Sequence, residues 1–482
     1  INPCLESDKI LNIISAAKSN LLVTLAPALN PDLWKKVVEV VQKSPQIETI
    51  LLVGSTEVSE DIFKQINIPV LSFDTALAQQ NKLALNNERA ILSDDVAAYF
   101  HTGGTTGTPK VAQQTHANQV ANAWSLAQFY PGKVGDTCLV GLPLFHVNAV
   151  IGTGLAGFMK GSRIVLLSPA GYRTPNIIGN FWMYVEKYQA TIFSCVPTIL
   201  SALLESPMKG ADISSLEFVI CGAAPLSQQL MTNFEKVIGA KILESYGLTE
   251  GSCISTLNPL EGNRKVGSIG ICMPGQQIKM VKLDVSDQII RECECNETGS
   301  LLIKGDNVFP GYLNASSNEG TLLDDGWLNT GDLARIDEDG FIWLTGREKD
   351  LIIRGGHNIE PSSIEETLMK HNSVSNAAAI GQPDAYAGEL PCAYITLTPN
   401  ASVSVDEINC FVRSNISERA ATPVYIEVMD SLPTTAVGKI FKPSLRLKAI
   451  KRVVDNMFKE VNINADIEVL QNDKTGISVE IK

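Results

Sequence analysis

"HTGGTTGTPK" (101–110) packs four threonines, three glycines and a terminal lysine into ten positions, a composition that neither helix nor strand favours. The strand-like run "VAAYF" (96–100) leads into it. "KVAQQT" (110–115) leads out as a second such run, and a helix, "HANQVANAWSLAQF", begins only afterwards. The common phosphate loop, G-x-x-x-x-G-K-[ST], instead feeds straight into a helix whose N-terminus faces the anion. Here Lys110 follows Pro109 and is followed by Val111. The segment is therefore expected to join two strands. Any phosphate would meet its own amides, the hydroxyls of Thr102, Thr105, Thr106 and Thr108, and Lys110. Gly103, Gly104 and Gly107 allow positive φ and close backbone approach. On composition alone, a polar hairpin turn is an equally good reading.

Outward from this loop, residues 5–245 alternate strand-like and helical segments. "LLVTLA" (21–26), "ETILLVG" (48–54), "ATIFSCV" (190–196), "LEFVICG" (216–222) and "KILESYG" (241–247) are short apolar runs. Amphipathic stretches such as "PDLWKKVVEVVQKS" (31–44) and "SQQLMTNFEKVIG" (227–239) separate them. Such alternation predicts mostly parallel sheets covered by helices. From about 263 the pattern shifts to short β runs, "IKMVKL", "SLLIKG" and "GFIWLTG", which predict a β-rich subdomain. A boundary is expected near "GREKD" (346–350), followed by a compact α+β segment and a Lys/Arg-rich helix after 442. The expected fold class is α/β, with a large multi-subdomain N-terminal domain (1–346), a hinge (347–349) and a small mobile α+β C-terminal domain (350–482).

The 482 residues are 45% hydrophobic and 19% charged, the proportions of an ordinary globular protein with a large core. A net charge of −13 argues against nucleic acid as a partner, because phosphate neutralisation needs a basic face. The 10 cysteines are scattered, and the one close pair, "CEC" (293–295), has no second Cys or His cluster to complete a metal site. No secretory signal is visible, and the longest apolar stretch, "VNAVIGTGLAGFM" (147–159), is too short to span a bilayer. These features predict a cytoplasmic protein without a transmembrane segment, and they leave a homodimer open. The chain opens "INPCLESDKI", without an initiator Met, as the remnant of a longer polypeptide would.

Six motifs occur in one order: "TGGTTGTPK", "PLFHVN" (143–148), "GAAPLS" (222–227), "YGLTE" (246–250), "WLNTGDLARIDEDGFIWLTGREKDLIIRGGHNIEP" (327–361) and "PTTAVGKIFKP" (433–443). Together they resemble the adenylate-forming superfamily of acyl-CoA synthetases, aryl-CoA ligases, luciferases and peptide-synthetase adenylation domains. "GLPLFHVNAV", "LLSPAGYR" and "IIRGGHNIEPSSIEE" most resemble bacterial fatty acyl-CoA synthetases. By that resemblance the first subdomain is partly missing from this chain. The resemblance implies ATP, Mg²⁺ and CoA, and a small carboxylic acid substrate that is first adenylated and then passed to the thiol.

The same resemblance implies roles for single residues. Glu250 would take the Mg²⁺, Thr249 a phosphate oxygen, and Tyr246, with Gly247 behind it, the adenine. Gly222, Ala223 and Ala224 would lie against adenine and acyl chain. Asp332 would accept the ribose hydroxyls, and Arg347 would reach the ribose or the α-phosphate. Lys439 would bridge the reacting carboxylate and the α-phosphate. Lys349 occupies the hinge position, and Gly355 and Gly356 would line the CoA channel after a rotation there. His146 stands where peptide-synthetase relatives carry the Asp that pairs with a substrate ammonium, so amino acids are not the expected substrates. His146 would instead gate or orient the acyl carboxylate, beside an apolar run that suits either an acyl tunnel or a core helix.

The chain departs from the pattern at Gly103 (often Ser), Val111 (usually Gly) and Ser300 (commonly Glu), none of which removes a charge. A medium- or long-chain fatty acid is the expected substrate. The alternatives are an aryl- or cinnamoyl-CoA ligase, a ligase that passes its acyl group to a carrier protein, and a non-catalytic nucleotide-binding relative.

Overall fold

The computed structural model describes residues 1–54, 60–82, 90–102, 110–129, 132–284, 286–399, 401–435, 438–461, 463, 465–472 and 476–481. Two compact units result, 1–117 with 309–319, and 118–308 with 320–482.

In the first unit, strands Leu21–Leu25, Thr49–Val53 and Val70–Ser72 form a parallel sheet in that order. Helix Pro31–Lys43 begins where the Asn30 side chain caps the Leu33 N–H and Pro31 supplies a preset φ. Its spacing puts Trp34, Val37, Val40 and Val41 on one face, against Ile50 and Leu52. The strand–loop–strand expectation holds: Val96–Thr102 pairs antiparallel with Lys110–Thr115, the ladder ending at Thr102 opposite Lys110. Gly311–Tyr312 adds a third strand.

The second unit is built on a seven-stranded sheet. Arg163–Leu166, Thr137–Val140, Ile192–Cys195, Phe218–Gly222 and Lys241–Tyr246 run parallel, and two short antiparallel strands, Thr256–Leu257 and Ile271–Cys272, close one edge. Phe181, Trp182, Phe193 and Phe234 fill one core of this unit, and Leu126, Cys138, Leu243 and Ile254 another. A sheet buried on both faces explains why its strands read as continuous apolar runs. Next comes the five-stranded antiparallel sheet of Ile289–Glu292, Gln276–Leu283, Gly299–Gly305, Leu328–Ile336 and Ile342–Arg347.

Beyond a 3₁₀ turn at Glu348–Asp350, strands Ile352–Arg354, His357–Ile359, Val374–Asp384, Gly388–Leu397 and Tyr425–Val428 form another sheet. Along Val374–Asp384, Ala377 and Ala379 face helices Pro361–Met369 and Val405–Asn415, while Ala378 and Ile380 face helix Lys442–Glu460. A hairpin, Ile467–Asn472 with Gly476–Ile481, ends the described chain. The fold class is the expected one, α/β with a β-rich portion and an α+β C-terminal part. Among the described residues no helix is long and apolar enough to cross a membrane.

Candidate active site

Parallel strands put their carboxyl ends side by side, and here the register sets Gly222 opposite Ser245. The "GAAPLS" and "YGLTE" segments therefore leave the sheet as neighbours, where open α/β sheets take ligands. Backbone passes so closely that Gly247 has no room for a side chain: a β-carbon there would lie 1.7 Å from the Cys253 carbonyl oxygen. Ala223 holds φ 69°, a left-handed conformation that costs energy for any residue with a β-carbon and tends to cluster at functional sites.

Tyr246 is 9% exposed, its ring packed with Ile269, Met280 and Leu301. Its hydroxyl donates to Asp332 Oδ2 at 2.5 Å. Burial, and then the Asp332 charge, push the Tyr246 phenol well above its ordinary range, so it remains a donor. Asp332 lies directly across the ladder from Arg347, whose Nε donates to Asp332 Oδ1 at 2.7 Å. The Asp332 carboxylate raises the Arg347 guanidinium further above its usual value. Each carboxylate oxygen keeps a second lone pair for a hydroxyl donor.

Glu250 and Thr249 sit half-buried on the 3₁₀ turn Thr249–Gly251. The loop after it is braced by two asparagines that the motifs do not include. Asn122 Nδ2 donates to the carbonyls of Gly251 and Ile254, and its Oδ1 accepts the Ile254 N–H. Asn307 Nδ2 also donates to the Gly251 carbonyl, at 3.0 Å. Among the described residues no group of three or more His, Cys, Asp or Glu could hold a metal. An ion here would rest on the single Glu250 carboxylate plus phosphate oxygens and water, a donor set that Mg²⁺ accepts.

Lys439 comes from a tight hairpin in which Thr434 bridges Ile440 and the Thr435 N–H donates to the Lys439 carbonyl. Burial, and then the Arg347 guanidinium, pull the Lys439 ammonium down to about 8, while the Asp332 and Glu250 carboxylates oppose that fall. The charges of Arg347, Asp332 and Glu250 thus bear on the Lys439 ammonium, and Asp332 is joined to Tyr246 at the end of a parallel strand.

The remaining sequence candidates have settings of their own. Lys110, in the first unit, stands 4.7 Å over the Tyr312 ring and 3.5 Å from the Ser317 carbonyl. Thr102 is described beside it, but Gly103, Gly104, Thr105, Thr106, Gly107 and Thr108 lie outside the described residues. His146 is half-buried, its ring 4.7 Å from that of Phe145. It precedes a π-helical turn, Asn148–Leu155, a form frequent at functional sites. There Gly152 packs on Cys253, which follows the Glu250 turn. Gly355 and Gly356 are exposed, with open space around them, and are not brought to Lys439. Lys349 lies in the 3₁₀ turn, where its carbonyl accepts from Arg446.

Two family models match the chain, the AMP-binding enzyme over residues 1–313 and the AMP-binding enzyme C-terminal domain over 363–439. The chain is 42% identical to a marinolic acid–CoA ligase of a Pseudoalteromonas species, across 100% of this chain and 73% of that protein. It is 33% identical to a long-chain-fatty-acid–CoA ligase of Bacillus subtilis, across 82% of this chain and 69% of that one. Among solved structures, ATP-bound MatB from Rhodopseudomonas palustris is 25% identical with a TM-score of 0.76, across 96% of this chain and 83% of that chain. The anthranilate CoA ligase AuaEII with anthranoyl-AMP, 24% identical, shares the fold with a TM-score of 0.80, across 94% and 83%.

Proposed function

The chain belongs to the AMP-binding enzyme family and is an acid–thiol ligase, and from that premise we propose that it is a cytoplasmic ATP-dependent acyl-CoA synthetase for a medium- or long-chain fatty acid. One observation carries the reading: Tyr246, at the carboxyl end of a parallel strand, holds Asp332, which pairs with Arg347, and the charges of both bear on the Lys439 ammonium.

A carboxylate is a poor electrophile until AMP becomes its leaving group. Three anionic groups must meet in that step, so the protein has to place cations where charge gathers. The Lys439 ammonium lies between the acid's carboxylate and the α-phosphate as the carboxylate oxygen attacks phosphorus and pyrophosphate departs. Asp332, held from both sides by Tyr246 and Arg347, accepts the ribose hydroxyls, and Arg347 keeps donors free for ribose or phosphate. Tyr246, Gly247 and the Gly222–Ala224 backbone flank adenine and acyl chain, and Thr249 donates to a phosphate oxygen. Glu250 would hold the magnesium that accompanies ATP, which when bound neutralises the leaving pyrophosphate. Lys110, Thr102 and the 103–107 segment take the triphosphate.

In the second step the CoA thiolate attacks the acyl carbon and AMP leaves. Rotation at Lys349 would withdraw Lys439 and bring Gly355 and Gly356 alongside the pantetheine arm. His146, ahead of the apolar π-helical turn, orients the acyl carboxylate. The fatty-acid assignment is supported by that apolar segment and by the named activity of the Bacillus subtilis relative.

Pyrophosphate release is to be measured with ATP and dodecanoic, hexadecanoic or cinnamic acid, followed by addition of CoA or a phosphopantetheinyl carrier protein. The reading expects the two fatty acids and CoA to be preferred. A preference for cinnamic acid or for the carrier would replace it with one of the rival ligases, and silence with every acid would sink catalysis altogether.

A further inference from the structure

The Lys439 hairpin presents two backbone carbonyls that its own hydrogen bonds do not use up, and both are met by side chains from before residue 200. Thr198 Oγ1 donates to the Gly438 carbonyl at 3.2 Å, and Arg173 Nη2 donates to the Thr435 carbonyl at 3.3 Å. Inside the hairpin, the Gly438 N–H donates to the Thr435 carbonyl and the Lys439 N–H to Thr435 Oγ1. Thr198 is the second residue of helix Pro197–Glu205, just after the carboxyl end of the parallel strand Ile192–Cys195. It therefore stands on the same rim as Gly222 and Tyr246. Gly438 holds φ 80°, and a β-carbon there would lie 2.7 Å from Thr198 Oγ1. With the Thr198 hydroxyl in place, a β-carbon there would clash.

We infer that Thr198, assisted by Arg173, is a positioning residue for adenylation: it receives the carbonyl of the residue before Lys439 and so fixes where the ammonium comes to rest. The inference rests on the proposed function for what Lys439 does, but the docking itself is a matter of geometry. A lysine side chain has many rotamers, and a neighbouring glycine leaves the backbone a wide choice of dihedrals. Two hydrogen bonds to rigid elements on either side of the turn remove the backbone freedom. Neither bond would help once the hairpin has swung away, so the thioester step gains nothing from them.

Two measurements on the full chain test this. In the first, the Thr198→Cys/Gly438→Cys pair is oxidised without ligand and peptide-mapped. A β-carbon at 438 would lie 4.0 Å from Cβ of Thr198, within disulfide reach, so a 198–438 bond is expected. The oxidised protein should release pyrophosphate from ATP and dodecanoic acid, yet form dodecanoyl-CoA only after reduction.

In the second, Thr198→Val is expected to slow single-turnover pyrophosphate release by about five- to tenfold, the worth of one such hydrogen bond. Thioester formation from preformed dodecanoyl-adenylate should stay within about twofold. Thr198→Ser should restore the rate, and Thr198→Val should add no further loss on top of Lys439→Ala. A general structural role would slow both half-reactions together, and that result overturns the inference, as does failure of the cross-link to form. Should the unmodified chain release pyrophosphate with no acid, the activity reading falls, while the mapped cross-link still decides the docking.

Discussion

Tyr246 and Asp332 lie 86 residues apart in sequence and meet through a hydroxyl–carboxylate hydrogen bond of 2.5 Å between two different sheets. With Arg347 on its other oxygen, Asp332 is fixed in one orientation although it is only 5% exposed. Tyr246→Phe keeps the ring and removes one of the two donors. The buried carboxylate then loses about 1–3 kcal/mol of hydrogen-bonding. The expected result is a rise in KM for ATP of roughly tenfold with a smaller change in kcat, because the ribose acceptor is misplaced while Lys439 is not. Steady-state pyrophosphate release over a range of ATP concentrations reads both constants. An unchanged KM would mean that Arg347 alone orients Asp332.

Lys439 gives the pH prediction. Its ammonium is pulled down to about 8, against an ordinary value of 10.5. Below pH 8 the folded protein carries the charged lysine that adenylation needs. As pH rises through 8 that charge is lost, so kcat/KM for pyrophosphate release should fall on the alkaline side with an apparent pKa near 8. The stability sign is opposite. Between 8 and 10.5 the unfolded chain binds the proton more tightly, so the fold loses its penalty for burying the charge as pH rises. Lys439→Ala should lower adenylation by roughly a hundred- to a thousandfold and abolish the alkaline limb, with little effect on thioester formation from preformed adenylate. Equal loss in both half-reactions would contradict the assigned role.

Asn122 carries the stability prediction. Its side chain is fully buried and makes three hydrogen bonds to the backbone of Gly251 and Ile254, immediately after Glu250. Asn122→Ala would strand those buried groups, at a cost of about 2–4 kcal/mol. The loss should appear in urea unfolding as a lower midpoint with an unchanged slope. The magnesium concentration for half-maximal activity should rise as well, because the Glu250 turn loses its brace. Unfolding at an unaltered midpoint would show that Asn307 suffices.

Much of this was legible from the chain. The apolar runs at 21–26, 48–54, 190–196, 216–222 and 241–247 all form strands; the last three are largely apolar because they are buried on both faces, whereas Leu21 and Val23 of the first are exposed. The strands Thr137–Val140 and Arg163–Leu166 are not legible in this way, since four residues carry too little pattern to separate strand from buried turn. The π-helical form of Asn148–Leu155 has no periodic signature at that length. Motif order named Glu250, Asp332, Arg347 and Lys439, but motifs record only residues that touch ligand. Asn122, Asn307, Thr198 and Arg173 act through backbone groups far along the chain, and no local spacing encodes such a meeting. Thr198 alone left a trace, because a hydroxyl just past the carboxyl end of a parallel strand belongs to the ligand rim.

Arg446 offers the last prediction. Its Nη2 donates to the Lys349 carbonyl at 3.2 Å and to Asp350 Oδ1 at 2.9 Å. The pair is largely shielded, with side-chain exposures of 26% and 19%, so it is worth more than a surface contact. Arg446 sits on helix Lys442–Glu460, which starts just after the Lys439 hairpin. The arginine therefore ties the helix that follows the hairpin to the turn proposed as the hinge. Without it, the hairpin keeps its bonds to Thr198 and Arg173, but the helix behind it loses its tie to that turn. Arg446→Ala should slow single-turnover adenylation by roughly three- to tenfold. Arg446→Lys should recover only part of that, since an ammonium cannot reproduce the directed guanidinium contacts to carbonyl and carboxylate. If both variants adenylate at the original rate, the turn at Lys349 does not depend on this arginine, and the Lys439 hairpin is placed by its docking partners alone.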